Sequence, residues 1–124
     1  LQMPLAEGTR FTAELPAGTG YGRVARVTTA AIARRHGFTY REVEDLRLAI
    51  DEAIIALIDD DDPDAAVDLH YRIDDGEVTI VVDGASDRPP EAVSRFHTLV
   101  TALVDRADLD LTAGRVRLTK KHVI

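Results

Sequence analysis

Residues 42 to 60, EVEDLRLAIDEAIIALIDD, decide how this chain is read. Val43, Leu46, Ile50, Ala53, Ile54 and Leu57 recur at intervals of three and four, which predicts a helix with one strongly apolar face. Leu48 and Ile55 lie nearly opposite that face, so the helix is apolar almost all round and belongs between layers or under a partner. Inside it stands the pair Asp51-Glu52, and a Glu among apolar residues is costly to bury without a partner or a task. Thr39 with Glu42 makes a capping-box pattern at the start. At the far end Asp59-Asp62 place carboxylates at the negative pole of the helix, and Pro63 stops it.

Upstream, Thr9-Leu15 alternates, with Phe11, Ala13 and Leu15 on one face, and predicts a strand ended by Pro16. Gly18-Gly22 reads as a turn. Val24, Val27, Ala31 and Ile32 then recur at helical spacing until Arg34-Arg35 and Gly37. Downstream, Ala66-Ile73 and Glu77-Asp83 predict two strands joined by the hairpin signal Asp74-Asp75-Gly76. Val67, Leu69 and Tyr71 share one face of the first, and Val78, Ile80 and Val82 one face of the second. Pro89-Pro90 open a third helix with a core stripe of Val93, Phe96, Val100, Leu103 and Val104. Ala113-Gly114 turn into a last strand, Arg115-His122, with Val116 and Leu118 inward. The order β-α-α-β-β-α-β predicts an α+β two-layer sandwich, a mostly antiparallel four- to five-stranded sheet with three helices on one face.

Composition bounds the function. At 124 residues and 45% apolar content, the expectation is one globular domain spanning 1–124. No apolar run approaches the ~18 residues of a membrane span. The start, LQMPLAEGTR, lacks the basic-then-apolar order of a signal peptide. With no Cys there is no disulfide frame, and a cytoplasmic location is expected. A net charge of -7 argues against direct nucleic-acid binding and suits a protein partner with basic patches.

Three segments carry a family resemblance: RVARVTTAAIARRHGFTYREVEDLRLAIDEA, VTIVVDGA and LVTALVDRADLDLTAGRVRLTKK. In order and spacing they resemble the anti-sigma-factor serine kinases of the GHKL (histidine-kinase-like) ATPase superfamily. The resemblance implies the Bergerat-type ATPase fold, a sigma factor and an anti-anti-sigma antagonist as partners, and a homodimer. It makes Glu52 the general-base position. It makes Ala56, one turn on and on the same face, the position of an Asn that gives Mg²⁺ an oxygen. A methyl group cannot ligate a hard cation. Asp83 matches the adenine-binding Asp of an Asp-x-Gly motif, with Gly84 one place earlier than the family's glycine, which would fall near Ala85. A Thr common near the adenine is replaced by Arg115. The phosphate lid is replaced by SDRPPEAVSRFH, without glycine and with two prolines that lack N–H donors.

A degenerate nucleotide site is therefore expected, since each lost donor in such a site costs roughly 10²–10³ in rate. The primary expectation is a regulator acting by protein–protein binding, with no cofactor. Its anchors are Leu48 and Ile55, with Arg23 and Arg26 on the first helix as interface candidates. The alternative is an active serine protein kinase that uses ATP and Mg²⁺ to phosphorylate an antagonist, and a third reading is an unrelated scaffold role. Simpler accounts stand beside these: Glu52 as a solvated or paired helix residue, Asp83-Gly84 as a strand-end turn, and the arginines as a solvated face. Asp59-Asp62 do not converge like a Ca²⁺ loop, and His36, His70, His97 and His122 lack metal-ligand spacing, so no metal site is expected.

Overall fold

Alternation in the central strands sets which side of the sheet is covered. In a computed structural model of the chain, describing residues 9–16, 21–57, 66–74, 76–84 and 91–122, the order is β1 (Thr9–Pro16), α1 (Tyr21–Arg35), α2 (Tyr40–Leu57), β2 (Ala66–Asp74), β3 (Glu77–Asp83), α3 (Glu91–Val100), β4 (Arg106–Asp110) and β5 (Arg115–Lys121). The five strands lie in the order β1-β2-β3-β5-β4, each neighbouring pair antiparallel. Val67, Leu69, Tyr71 and Ile73 of β2, Val78, Ile80 and Val82 of β3, and Val116 and Leu118 of β5 are buried on the helix side. Their alternates His70, Arg72, Arg115 and Arg117 are exposed on an open, charged face.

Local chemistry explains the joints. Helix α1 ends in a Schellman motif: Phe38 N–H donates to Ala33 O and Gly37 N–H to Arg34 O, both at 3.1 Å, with Gly37 at φ 83°. The capping box of α2 forms as expected: Thr39 N–H donates to Glu42 Oε1 at 2.7 Å, and Glu42 N–H to Thr39 Oγ1 at 3.2 Å. His122 reaches the same Glu42 oxygen through Nδ1 at 2.7 Å, tying the end of β5 to the start of α2. Lys120 Nζ donates to Leu103 O at 2.7 Å and pairs with Asp45 at 3.4 Å, joining β5, α2 and the turn after α3.

Three expectations are corrected. The run 106–110 is a strand, β4, where the sequence reading placed none; it alternates, but over five residues with only Ala107 and Leu109 apolar, too short a pattern to stand out. Helix α3 stops at Val100, so Leu103 and Val104 continue the core from a turn, with Val104 still buried. On α1 the core face is Ala25, Thr29, Ile32 and Ala33, whereas Val24, Val27 and Ala31 face solvent, because the small residues are the ones that let α1 pack closely. Gly18, Asp59-Asp62, Pro63, Ala85 and Pro89-Pro90 lie outside the described residues, as do the side chains of β1.

Between α1 and the sheet, Thr29 Oγ1 and the Tyr71 hydroxyl share a buried hydrogen bond of 2.8 Å. Burial pushes the Tyr71 phenol above its ordinary value of 10.0, against a smaller opposite pull from the Thr29 hydrogen bond. A raised folded-state pKa means that the stabilisation is complete below the unfolded pKa and is lost as pH rises beyond it. Stability measured by urea unfolding should therefore decline above about pH 10. Tyr71→Phe should lower stability by about 1 kcal/mol at neutral pH and remove this alkaline component.

Candidate functional site

The residues singled out by sequence surround the C-terminal half of α2. Ala49, Ala53 and Ala56 form a buried stripe of small side chains, and Ala56 itself is 5% exposed. Its methyl group is thus a packing element and offers no oxygen to a cation. Glu52 sits at the edge of this stripe, half-buried, with its Oε2 3.8 Å from Arg95 Nε on α3. Arg95 lies within SDRPPEAVSRFH, and nothing in the local pattern of that stretch marks it as the partner of Glu52.

Asp83, the last residue of β3, belongs to the alternate set that faces away from the helices. Its Oδ1 accepts a 2.6 Å hydrogen bond from Arg115 Nε, and its Oδ2 lies 3.3 Å from His70 Nε2. Arg115 is the direct cross-strand partner of Asp83. That hydrogen bond, then the Asp83 charge, raise the Arg115 guanidinium pKa above its ordinary value. Glu52 and Asp83 therefore keep separate partners, one in the helix layer and one on the open face.

Gly84 follows with its N–H donating to Gly114 O at 2.7 Å. Its φ is not positive, so its glycine is required by crowding, not by a turn. A Cβ there would lie 3.1 Å from Leu57 Cβ and 3.2 Å from Val67 Cγ1. The exit of β3 is closed directly onto the last turn of α2. Among the described residues, no group of three or more His, Asp or Glu side chains is placed to hold a metal ion.

The outer surface of the helices is different in kind. Leu48 is 54% and Ile55 45% exposed, on the ridge of α2 that also carries Asp51. On α1, Val24 is 44% and Val27 56% exposed. Arg23 is exposed, while Arg26 is held by Asp51 through a 2.7 Å ion pair that crosses between the helices. Helix α1 contains Arg23, Arg26, Arg34 and Arg35 and no acidic residue, on a chain of net charge -7. No helix among the described residues is long and apolar enough to cross a membrane.

Comparison with known proteins gives a consistent set of likenesses, although no protein-family model matches the chain. It is 31% identical over 133 aligned positions to the serine-protein kinase RsbW of Oceanobacillus iheyensis, covering 89% of this chain and 84% of that protein. It is 34% identical over 82 residues to the RsbW of Listeria innocua, covering 62% of this chain and 52% of the relative. RsbW of Bacillus cereus strain B4264 is 36% identical over 75 residues, with 60% and 41% covered. The matched stretch thus spans about half the length of the Listeria protein, and less of the Bacillus one. In fold, the chain resembles the crystal structure of the RsbU and RsbW domains of a Mycobacterium tuberculosis protein. That match has a TM-score of 0.67 and 19% identity, over 92% of this chain and 32% of the other.

The close contact at Gly84 yields a direct test of the site's packing. Gly84→Ala should destabilise the domain by about 1–3 kcal/mol in chemical denaturation, because Leu57 and Val67 are buried and have little room to yield.

Proposed function

This chain belongs to the RsbW family of serine-protein kinases, and we propose that it works there as an anti-sigma-factor-like regulator that acts by binding proteins without efficient phosphotransfer. One observation carries the reading: Ala56, at the position the family resemblance gives to a metal ligand, is a buried methyl in the alanine stripe of α2. An Asn there would have to place a polar amide in that packed stripe, which is costly without a partner. The donor set does not fit ATP with Mg²⁺: the Ala56 position lacks an oxygen, Asp83 is occupied by Arg115 and His70, and Glu52 by Arg95. No catalytic step is therefore assigned to a metal-bound nucleotide. Losing the electrostatic stabilisation that phosphoryl transfer depends on leaves little catalysis even with Glu52 retained.

What remains intact is surface. Leu48 and Ile55 on α2, with Val24 and Val27 on α1, supply exposed apolar anchors, and Arg23, Arg34 and Arg35 supply a basic rim. This combination suits a partner with an apolar ridge flanked by acids. The proposed partners are a sigma factor and its anti-anti-sigma antagonist, met in the cytoplasm, with a homodimer as the assembly. The family name and the retained Glu52 favour the second reading, an ATP- and Mg²⁺-dependent serine protein kinase acting on the antagonist.

The test is affinity for the host's sigma factors. Leu48→Asp and Ile55→Asp should each weaken binding at least about tenfold. Both side chains are exposed, so the thermal midpoint should stay nearly unchanged. Unaltered binding in both variants would contradict the proposed surface. Phosphate transfer to an antagonist that disappears in Glu52→Ala would establish the kinase reading instead.

A further inference from the structure

The two edges of the sheet differ in kind. Strand β4 closes one edge with five residues, of which Arg106, Asp108 and Asp110 are charged and exposed, a common protection of an edge against further pairing. Strand β1 forms the other edge with eight residues, TRFTAELP, all in register with β2, and no second strand among the described residues pairs with it.

The ladder decides which backbone groups this edge offers. Gly84 N–H donates to Gly114 O and His122 N–H to Gly76 O, both at 2.7 Å, so the even-numbered residues along β3 bond toward β5. Successive residues of an antiparallel ladder alternate sides. The odd-numbered residues of β3 therefore bond toward β2, and the odd-numbered residues of β2 bond toward β1. Arg10, Thr12 and Glu14 keep their N–H and C=O groups for the free edge. Pro16, which has no N–H, falls in the same alternate set, where β2 needs no donor from it.

The sequence of this edge is complementary to itself. Laid antiparallel on a second copy about Thr12, it sets Arg10 opposite Glu14 of that copy and Glu14 opposite its Arg10. Within the chain the same positions meet like charge across the strands, Arg10 opposite Arg72 and Glu14 opposite Asp68, which is unfavourable. Resting on the homodimer proposed above, we propose that two copies of this chain join edge to edge through β1, centred on Thr12, into one continuous sheet. The second copy supplies the opposite charges that Arg10 and Glu14 lack across β2, and Pro16 lies beyond the stretch that pairs.

The experiment is sedimentation equilibrium on the chain and three variants, with thermal unfolding of each. Arg10→Glu sets Glu against Glu at both symmetric positions and should weaken dimerisation at least about tenfold. Position 10 then meets Arg72 with opposite charge, so the thermal midpoint of the dilute monomer should not fall. Loss of folding alone would not produce this split. Adding Glu14→Arg to Arg10→Glu restores both contacts and should return the dissociation constant to within about threefold of wild type. Thr12→Pro removes an N–H that faces only the edge and should leave a folded monomer. A dimer unmoved by Arg10→Glu and by Thr12→Pro would overturn this interface while leaving a homodimer through another face. A double reversal as weak as Arg10→Glu alone would overturn the register. A wild-type chain that stays monomeric to about 100 µM would overturn the interface and the homodimer together, with the partner-binding reading untouched.

Discussion

Helix α2 packs against α1, α3 and the sheet at once, and it does so with a face of Val43, Leu46, Ala49, Ile50, Ala53, Ala56 and Leu57. Large residues fill the space between layers while the alanines allow close approach, which is how interiors reach native packing density. Its ends are fixed independently. At the start the Thr39–Glu42 box is clasped by His122, and at the finish Leu57 meets the backbone of Gly84. The strands, the turns and the candidate site are all arranged around this one element.

That constraint bears directly on chemistry. A position in a close-packed stripe cannot hold a polar ligand unless the surrounding groups provide partners. Ala56 is consistent with a helix selected for packing, and Gly84 shows the same pressure from the sheet side. The carboxylates at the edges of this packed region pair with arginines of the same chain, Glu52 with Arg95 and Asp83 with Arg115.

Much of this was legible from the residues. The capping box at Thr39 and Glu42, the Asp74-Asp75-Gly76 hairpin and the inward sets of β2 and β3 follow from local patterns whose physics is local too. Strand β4 was not legible, because Arg106, Asp108 and Asp110 leave only two apolar residues in five and edge strands are often charged. The outward turn of Val24 and Val27 was also hidden, since helical spacing marks a stripe but not which of two stripes meets the core. At the site, Glu52, Ala56, Asp83 and Arg115 were found by resemblance. The contacts Glu52–Arg95 and Asp83–His70 depend on tertiary placement that no local pattern encodes. Periodicity placed Leu48 and Ile55 opposite the core face of α2 and left open whether a second layer or a partner covers them; within the chain they are exposed.

The central claim is that this domain binds its protein partner without help from a nucleotide. The most direct measurement is the affinity of the nucleotide-stripped chain for the proposed sigma-factor partner, compared with the affinity in saturating ATP and Mg²⁺. Linkage requires a ligand that favours the binding-competent state to raise that affinity. The account predicts the same dissociation constant within about twofold under both conditions, since no coupling means no shift. A tenfold or greater dependence on ATP, about 1.4 kcal/mol of coupling, would contradict it.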